Sequence, residues 1–136
     1  MTFIHASKRA LLSFLDGFAP GLLPDGTSDP RALAVEGDTL DAICSAYGFD
    51  RVDFLKMNIE GAERYAIGGM TETIKRTSAA AVAAHDFRAN GRDSFFKTRA
   101  IVQRFLERNG FETVTRARAP RPWIRDILYG VRRPNR

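Results

Sequence analysis

The sequence predicts an α/β fold in which parallel strands end in an antiparallel pair and helices cover both faces of the sheet. The first observation is a near-continuous apolar run at Val52–Ile59, which is typical of a strand buried on both faces. The second is the alternation of helical and strand patterns from residue 38 onward, which is typical of crossovers between parallel strands. The third is a final pair of strand patterns joined by a proline-containing turn, which predicts a hairpin-like pair.

The N-terminal segment, residues 1–37, predicts a helix followed by an irregular loop. The apolar stripe of the helix predicted over residues 1–18 consists of Leu11, Leu12, Phe14, Leu15 and Phe18. Residues 19–38 contain three prolines and several turn-forming residues, which favour a loop. We therefore divide the chain into an N-terminal unit, residues 1–37, and a main unit, residues 38–136.

The main unit opens with a helix, a strand and a second helix. Asp38 or Thr39 can cap the first helix, "DTLDAICSAYGF", and Gly48 ends it. The strand at Val52–Ile59 then leads into a helix predicted over Ala62–Lys75 from its apolar spacing.

The second half of the main unit continues the alternation. Gly68 and Gly69 lie inside the second helix, and because each glycine costs about 1 kcal/mol relative to alanine, they predict a break or a close packing contact. "SAAAVAAHDF" predicts a strand from its place between two helical patterns, although alanine favours helix. A helix over Ser94–Asn109, capped by Asp93 or Ser94, precedes the final strands "FETVTRARA" and "DILYGVRR".

Composition indicates one globular domain in a reducing compartment. The 136 residues are 44% hydrophobic and carry a net charge of +5, which excludes general disorder and leaves open an anion-binding surface. The single cysteine, Cys44, cannot form an intrachain disulfide and is expected to be a buried apolar residue. No stretch is long enough to cross a bilayer, and Asp16 interrupts the N-terminal apolar run, so we expect a cytoplasmic protein without a signal peptide.

Polar side chains follow two strands at the points where these strands end. Asn58, Glu60 and Glu63 follow the central strand, and His85 and Asp86 follow the next one. The carboxyl ends of parallel strands meet at one edge of a sheet, where ligands bind. A plain alternative is that the glutamates are ordinary acidic residues in the first turn of a helix and that the histidine is structural.

The stretch around the central strand resembles the FkbM-type family of S-adenosylmethionine-dependent methyltransferases. That family's pattern is Leu-Asp, then a strand reading Asp-Phe-hydrophobic-Lys-hydrophobic-Asp-hydrophobic-Glu-Gly-x-Glu, then hydrophobic-x-Gly. The resemblance covers about residues 38–133, and the matching residues are Leu40, Asp41, Asp53, Phe54, Lys56, Glu60, Gly61, Glu63, Ile67 and Gly69.

The resemblance implies a partial Rossmann-like methyltransferase sheet and O-methyl transfer from S-adenosylmethionine to a hydroxyl of a sugar or other small-molecule acceptor. It is most specific in the core Lys-x-x-x-Glu-Gly-x-Glu. One departure is Asn58, where the family has aspartate, because an amide cannot act as a base or as a strong metal ligand, and we expect no metal. The implied catalytic residues are His85 as general base, Glu60 and Glu63, and the implied substrate-binding residues are Asn58, Asp86 and Lys56.

A larger departure is the missing cofactor motif. No Gly-x-Gly turn follows a strand pattern before Thr39, so the chain resembles only the C-terminal half of the family's fold, a truncated form with about four strands. The edge of the strand at Val52–Ile59 is then open, and we expect the N-terminal segment, a second copy of the chain or a separate protein to cover it. A second hypothesis is a non-catalytic remnant or partner subunit of that fold.

A third hypothesis is nucleic-acid binding by the C-terminal region. Arginines and aromatic residues together can bind single strands, and this region contains Arg116, Arg118, Arg121, Trp123, Arg125, Tyr129, Arg132, Arg133 and Arg136. No nucleic-acid-binding motif accompanies them, so we favour a solvated basic hairpin with a core tryptophan.

Overall fold

The computed structural model describes residues 3–7, of which only the backbone is considered, residues 37–89 and residues 95–133. Its five strands form one sheet in the order β1-β2-β3-β5-β4. They are β1 (Phe3–Ser7), β2 (Val52–Asn58), β3 (Thr77–Ala83), β4 (Phe111–Thr115) and β5 (Ile127–Arg132). The first three strands are parallel, and β5 runs antiparallel to both β3 and β4. The predicted fold class, a partial Rossmann-like α/β sheet ending in an antiparallel pair, is confirmed.

The helices connect these strands and are short. They are α1 (Leu40–Ala46), α2 (Glu63–Ala66), α3 (Arg99–Arg108) and α4 (Pro122–Arg125), with 3₁₀ turns at Ile67–Gly69, Thr73–Arg76 and Asp86–Arg88. Helix α3 packs on β4 and β5, α2 contacts α3, and α1 contacts the 3₁₀ turn at Thr73–Arg76. Within the part of the chain that the structure describes, no helix is long and apolar enough to span a bilayer.

The hydrophobic core lies on one face of the sheet. Alternation along each strand, together with the pairing register, brings the core side chains of neighbouring strands onto the same face. The fully buried residues of this cluster include Leu55, Met57, Ala80, Val82, Val102, Leu106 and Leu128. The single cysteine, Cys44, is also buried in this core, as its apolar surroundings in the sequence predict.

The opposite face of the sheet is more open. Phe54, Lys56 and Asn58 alternate with the core residues of β2 and therefore point to this second face. The register places Ala81 of β3 and Tyr129 of β5 beside Lys56 in the same row. Helix α4 lies on this side, because its Trp123 lines a cavity with Phe54.

The predicted N-terminal helix is wrong over Phe3–Ser7, which forms strand β1. This strand pairs in parallel with β2, from Phe3 opposite Phe54 to Ser7 opposite Asn58. The apolar stripe that indicated a helix begins only at residue 11, and the open edge of β2 offers five residues a ladder of backbone hydrogen bonds. The sheet consequently has five strands instead of four. Of the three coverings expected for the edge of β2, it is the N-terminal segment that pairs with it. Residues 8–36 lie outside the described part, and the division at residue 37 stays a prediction.

The helix predicted over Ala62–Lys75 is broken. Helix α2 ends at Ala66 and passes into the 3₁₀ turn at Ile67–Gly69. A Cβ atom on Gly69 would lie 3.1 Å from side-chain atoms of Thr39. The predicted break and the predicted close contact are therefore both confirmed.

Asp41 of α1 ties this broken segment to the first helix. Its carboxylate accepts hydrogen bonds from the amide of Thr73 at 2.6 Å, from the amide of Glu72 and from the hydroxyl of Thr71. Partial burial raises the pKa of Asp41, but the hydrogen bonds from Thr73, Glu72 and Thr71 outweigh it and leave the pKa below its usual value. The ionised carboxylate therefore stabilises the fold.

Arg132, the last residue of β5, connects three segments of the chain. Its guanidinium donates hydrogen bonds to the carbonyl oxygens of Thr77 and Asn109, both at 2.8 Å, and of Ile74. The same group lies 4.6 Å from the centroid of the Phe111 ring. One side chain thus satisfies carbonyls at the end of α3, at the start of β3 and in the 3₁₀ turn before it.

Candidate functional site

The turn after β2 has an unusual backbone. Glu60 has φ of 58° and Gly61 has φ of 101°, a conformation that residues other than glycine rarely adopt. Glu63, fully buried at the start of α2, accepts hydrogen bonds from the amides of Ile59 at 3.1 Å and Gly61 at 2.9 Å. Glu63 is therefore more than an ordinary acidic residue in a first helical turn, because it holds the turn that precedes its own helix.

His85 lies between the two glutamates at the end of β3. Its Nδ1 is 3.1 Å from Glu63 Oε1, and its Nε2 is 3.5 Å from Glu60 Oε1. The contact at Nδ1 does not meet the geometry of a hydrogen bond. The ring is 4% exposed. The structure thus brings together the three residues that the resemblance assigned to catalysis.

Arg88 holds the carboxylate of Glu60 from the solvent side. Its guanidinium forms an ion pair with Glu60 Oε2 and lies 5.2 Å from the centroid of the Phe96 ring. Glu60 is consequently bracketed by the imidazole of His85 on one oxygen and by Arg88 on the other. The sequence pattern did not single out Arg88.

Asp86, predicted to bind substrate, has a structural partner. Its Oδ1 accepts hydrogen bonds from the amides of Thr98 at 2.9 Å and Arg99 at 2.8 Å, so it caps the start of α3. The amide of His85 in turn lies 3.4 Å from Thr98 Oγ1. These contacts place α3 against the end of β3 and explain why that helix begins at Arg99, later than predicted. The predicted caps Asp93 and Ser94 lie outside the described residues.

A cavity of about 560 Å³ opens on the second face of the sheet beside these residues. Its floor includes Ala81 and Ala83 of β3, whose small side chains leave the space open. Its polar end, where β2 and β3 finish, consists of Asn58, Glu60 and His85, and Lys56 lines the cavity further back along β2. Its apolar wall consists of Phe54, Phe87, Trp123, Ile127 and Tyr129. The volume is that of a site for one small molecule.

The aromatic wall was not part of the predicted site. The sequence indicates Trp123 and Tyr129 only as aromatic residues among arginines. Trp123 is 51% exposed, so the prediction of a core tryptophan is wrong. The guanidinium of Arg121 lies 5.6 Å from the Trp123 ring, and that of Arg116 lies 5.5 Å from the Tyr129 ring. The interleaved arginines and aromatic rings were the one signal that could have pointed to this wall.

Gly61 does not have the open space that a glycine-rich cradle for a methyl donor needs. A glycine-rich cradle needs a glycine after a strand with open space beside its Cα. Gly61 is the glycine that directly follows β2, but a Cβ atom there would lie 2.5 Å from Phe95 Cε1. The space beside Gly61 is thus filled by a phenylalanine of the chain itself. Across residues 37–89 and 95–133, no group of three or more potential ligands is placed to hold a metal ion.

One comparison with known proteins gives a match. The family model described as "Methyltransferase FkbM domain" matches residues 11–113, more than half of the chain. The match begins well before residue 38, where the resemblance in the sequence had been placed, and it ends within β4. It includes β2, the turn held by Glu63, and His85. No curated protein and no solved structure gives a significant match.

Proposed function

Since the chain belongs to the FkbM methyltransferase family, we propose that the cavity beside His85 binds a small-molecule acceptor for O-methyl transfer. S-adenosylmethionine supplies the methyl group in this family, and we propose it as the donor. A sugar or another polyol fits the mixed lining of the cavity, because aromatic rings can pack against a ring face while the polar end meets hydroxyls. Asn58 and Lys56 are the proposed hydrogen-bonding groups for these hydroxyls.

The observation that carries this proposal is the position of His85 between two carboxylates at the polar end of the cavity. Glu63 Oε1 beside Nδ1 favours the tautomer with the proton on Nδ1, which leaves a lone pair on Nε2. Nε2 is then available to take the proton of an acceptor hydroxyl. Glu60, 3.5 Å from Nε2, would stabilise the imidazolium that forms.

A non-catalytic role is the second candidate, and the filled space beside Gly61 favours it. A chain that keeps the acceptor cavity without holding a methyl donor would act as a binding subunit. A second copy of the chain or a separate protein would then supply the donor site. This candidate predicts acceptor binding without turnover by the chain alone.

Two measurements separate these candidates. Calorimetry with S-adenosylmethionine and S-adenosylhomocysteine tests donor binding, and release of S-adenosylhomocysteine in the presence of a panel of polyols tests turnover. For a catalytic chain we expect saturable donor binding, together with turnover that His85→Asn lowers by about 100-fold, the usual contribution of a general base. Glu112→Gln, a change at an exposed site on β4, serves as the control. If calorimetry gives no heat at high micromolar concentrations of S-adenosylmethionine, the catalytic role of the chain alone is refuted and the binding role remains.

A further inference from the structure

We propose that the acceptor carries a negatively charged group, a carboxylate or a phosphate ester, which is held by Lys56, Arg116 and Arg121 at the cavity. This inference names the acceptor class and so rests on the function proposed above. Its starting point is the charge at and around the cavity: Lys56 and Glu60 line it, and Arg116 and Arg121 lie over two of the aromatic rings that line it.

Lys56 provides the first of these cations. It lies in the middle of β2, is exposed, and lines the cavity directly. Glu60, the carboxylate of the same cavity, is paired with Arg88. Among the described residues, no carboxylate forms an ion pair with Lys56. A cation in the middle of a half-apolar strand face is therefore available to a ligand.

Arg116 and Arg121 provide two further cations, each next to a ring of the aromatic wall. Each guanidinium lies over a ring that lines the cavity, Arg116 over Tyr129 and Arg121 over Trp123. Stacking on a ring orients the guanidinium plane while its N–H groups remain free to donate. Neither arginine pairs with a carboxylate of the described residues. The planar fork of donors of a guanidinium suits the two oxygens of a carboxylate or phosphate.

Other arginines near the site have partners of their own. Arg88 pairs with Glu60, and Arg99 pairs with Asp126. Lys56, Arg116 and Arg121 thus differ from the arginines that hold the fold together. Asn58 adds to this contrast, because an aspartate at that position would bring a negative charge to the same cavity and oppose an anion.

The concave shape favours a small anion over a nucleic acid. Single-stranded nucleic acids bind along grooves that follow several nucleotides. Here Lys56 and the rings of Trp123 and Tyr129 line one cavity of about 560 Å³, and Arg116 and Arg121 lie beside those two rings. The volume matches a single small ligand. We therefore expect an anionic small molecule of about the size of a sugar phosphate or sugar acid.

Trp123 makes the test direct, because it is the only tryptophan of the chain and lines the cavity. Its fluorescence is titrated with glucose 6-phosphate, with glucuronate and with glucose, at constant ionic strength. We expect a saturable change with at least one of the two anions, at least about ten-fold tighter than with glucose, because hydrogen bonds between charged groups are the stronger ones. The two anions distinguish phosphate from carboxylate recognition.

Three variants and a control identify the residues. Lys56→Gln and Arg116→Gln are each expected to weaken anion binding by about ten-fold, because each removes one charge-assisted contact. Asn58→Asp should also weaken it, through repulsion. Arg104→Gln, at an exposed position on α3, removes the same charge on another element and should leave binding unchanged.

Equal binding of glucose and both anions would overturn the inference, as would anion binding that Lys56→Gln and Arg116→Gln leave unchanged. An oligothymidylate that binds more tightly than the sugar anions, with the same sensitivity to these variants, would assign the cations to nucleic acid instead. The titration needs no methyl donor. Anion binding without methyl transfer would thus refute the proposed function alone, and methylation of a neutral polyol without anion binding would refute this inference alone.

Discussion

Replacing Glu63 by alanine should remove the support of the turn after β2. The buried carboxylate accepts two hydrogen bonds, from the amides of Ile59 and Gly61. Hydrogen bonds to a charged group contribute about 1.5–3 kcal/mol each, so the free energy of unfolding should fall by about 3–6 kcal/mol. A domain of this size has about 5–15 kcal/mol in total. The change should therefore cost a large fraction of the stability.

A graded series separates the two hydrogen bonds from simple loss of volume. Glu63→Gln keeps the shape and one acceptor oxygen, but its NH₂ group would face one of the two backbone amides. We expect a loss of about 1.5–3 kcal/mol, half that of the alanine variant. Glu112→Ala, at a side chain that is 66% exposed, is the matched control and should change stability by less than about 0.5 kcal/mol.

Urea denaturation followed by circular dichroism and by Trp123 fluorescence measures these differences. Linear extrapolation gives the free energy of unfolding, and an unchanged slope shows that the native state is still compact. If the free energy of unfolding of Glu63→Ala lies within about 1 kcal/mol of that of the parent chain, the carboxylate does not hold the turn.

Three further predictions concern the fold around the site. Arg132→Lys should lower the free energy of unfolding, measured by urea denaturation, by about 2–4 kcal/mol, because an ammonium lacks the planar fork that lets a guanidinium reach three carbonyls. Arg133→Lys, a change at the exposed neighbouring residue, should cost almost nothing. Gly61→Ala should lower the free energy of unfolding by about 2–4 kcal/mol, because alanine is strained at positive φ and its Cβ clashes with Phe95. The loss should be smaller when the same change is made in a Phe95→Ala background. Equal losses in both backgrounds would contradict the clash. The pKa of Asp41 in the folded chain lies below its unfolded value of 3.8. Its contribution to the free energy of unfolding should therefore be complete above about pH 4 and should be lost as the pH falls through the folded pKa. If Asp41→Asn leaves the dependence of the free energy of unfolding on pH unchanged, this prediction is wrong.

The sequence predicts much of the main unit because its strands are short and apolar and alternate with helices. Alanine-rich β3 shows how position can outweigh propensity. Its Ala80 and Val82 fill the core, while Ala81 and Ala83 leave room for the cavity on the other face. Helix propensity alone would have assigned this stretch wrongly.

Strand β1 and the aromatic wall escape such reasoning because both depend on distant pairing. Five residues at Phe3–Ser7 carry too little pattern to indicate a strand, and it is the edge of β2 that selects this conformation. Trp123 and Tyr129 reach the site because β5, and not β4, lies beside β3. Local patterns cannot distinguish these two orders, since either strand of the final pair could take the inner position.

The two glutamates of the family pattern have different tasks in the turn, and the backbone explains why. Glu60 keeps a left-handed conformation that costs about 1–3 kcal/mol and persists only where its surroundings enforce it. Glu63 enforces it by binding the amides on both sides, and Arg88 holds the Glu60 carboxylate near His85. Within residues 37–89 and 95–133, Glu60 is the one residue other than glycine with a positive φ, and it lines the cavity. The position of the Glu60 carboxylate relative to Nε2 of His85 therefore depends on the buried Glu63 as much as on Glu60 itself.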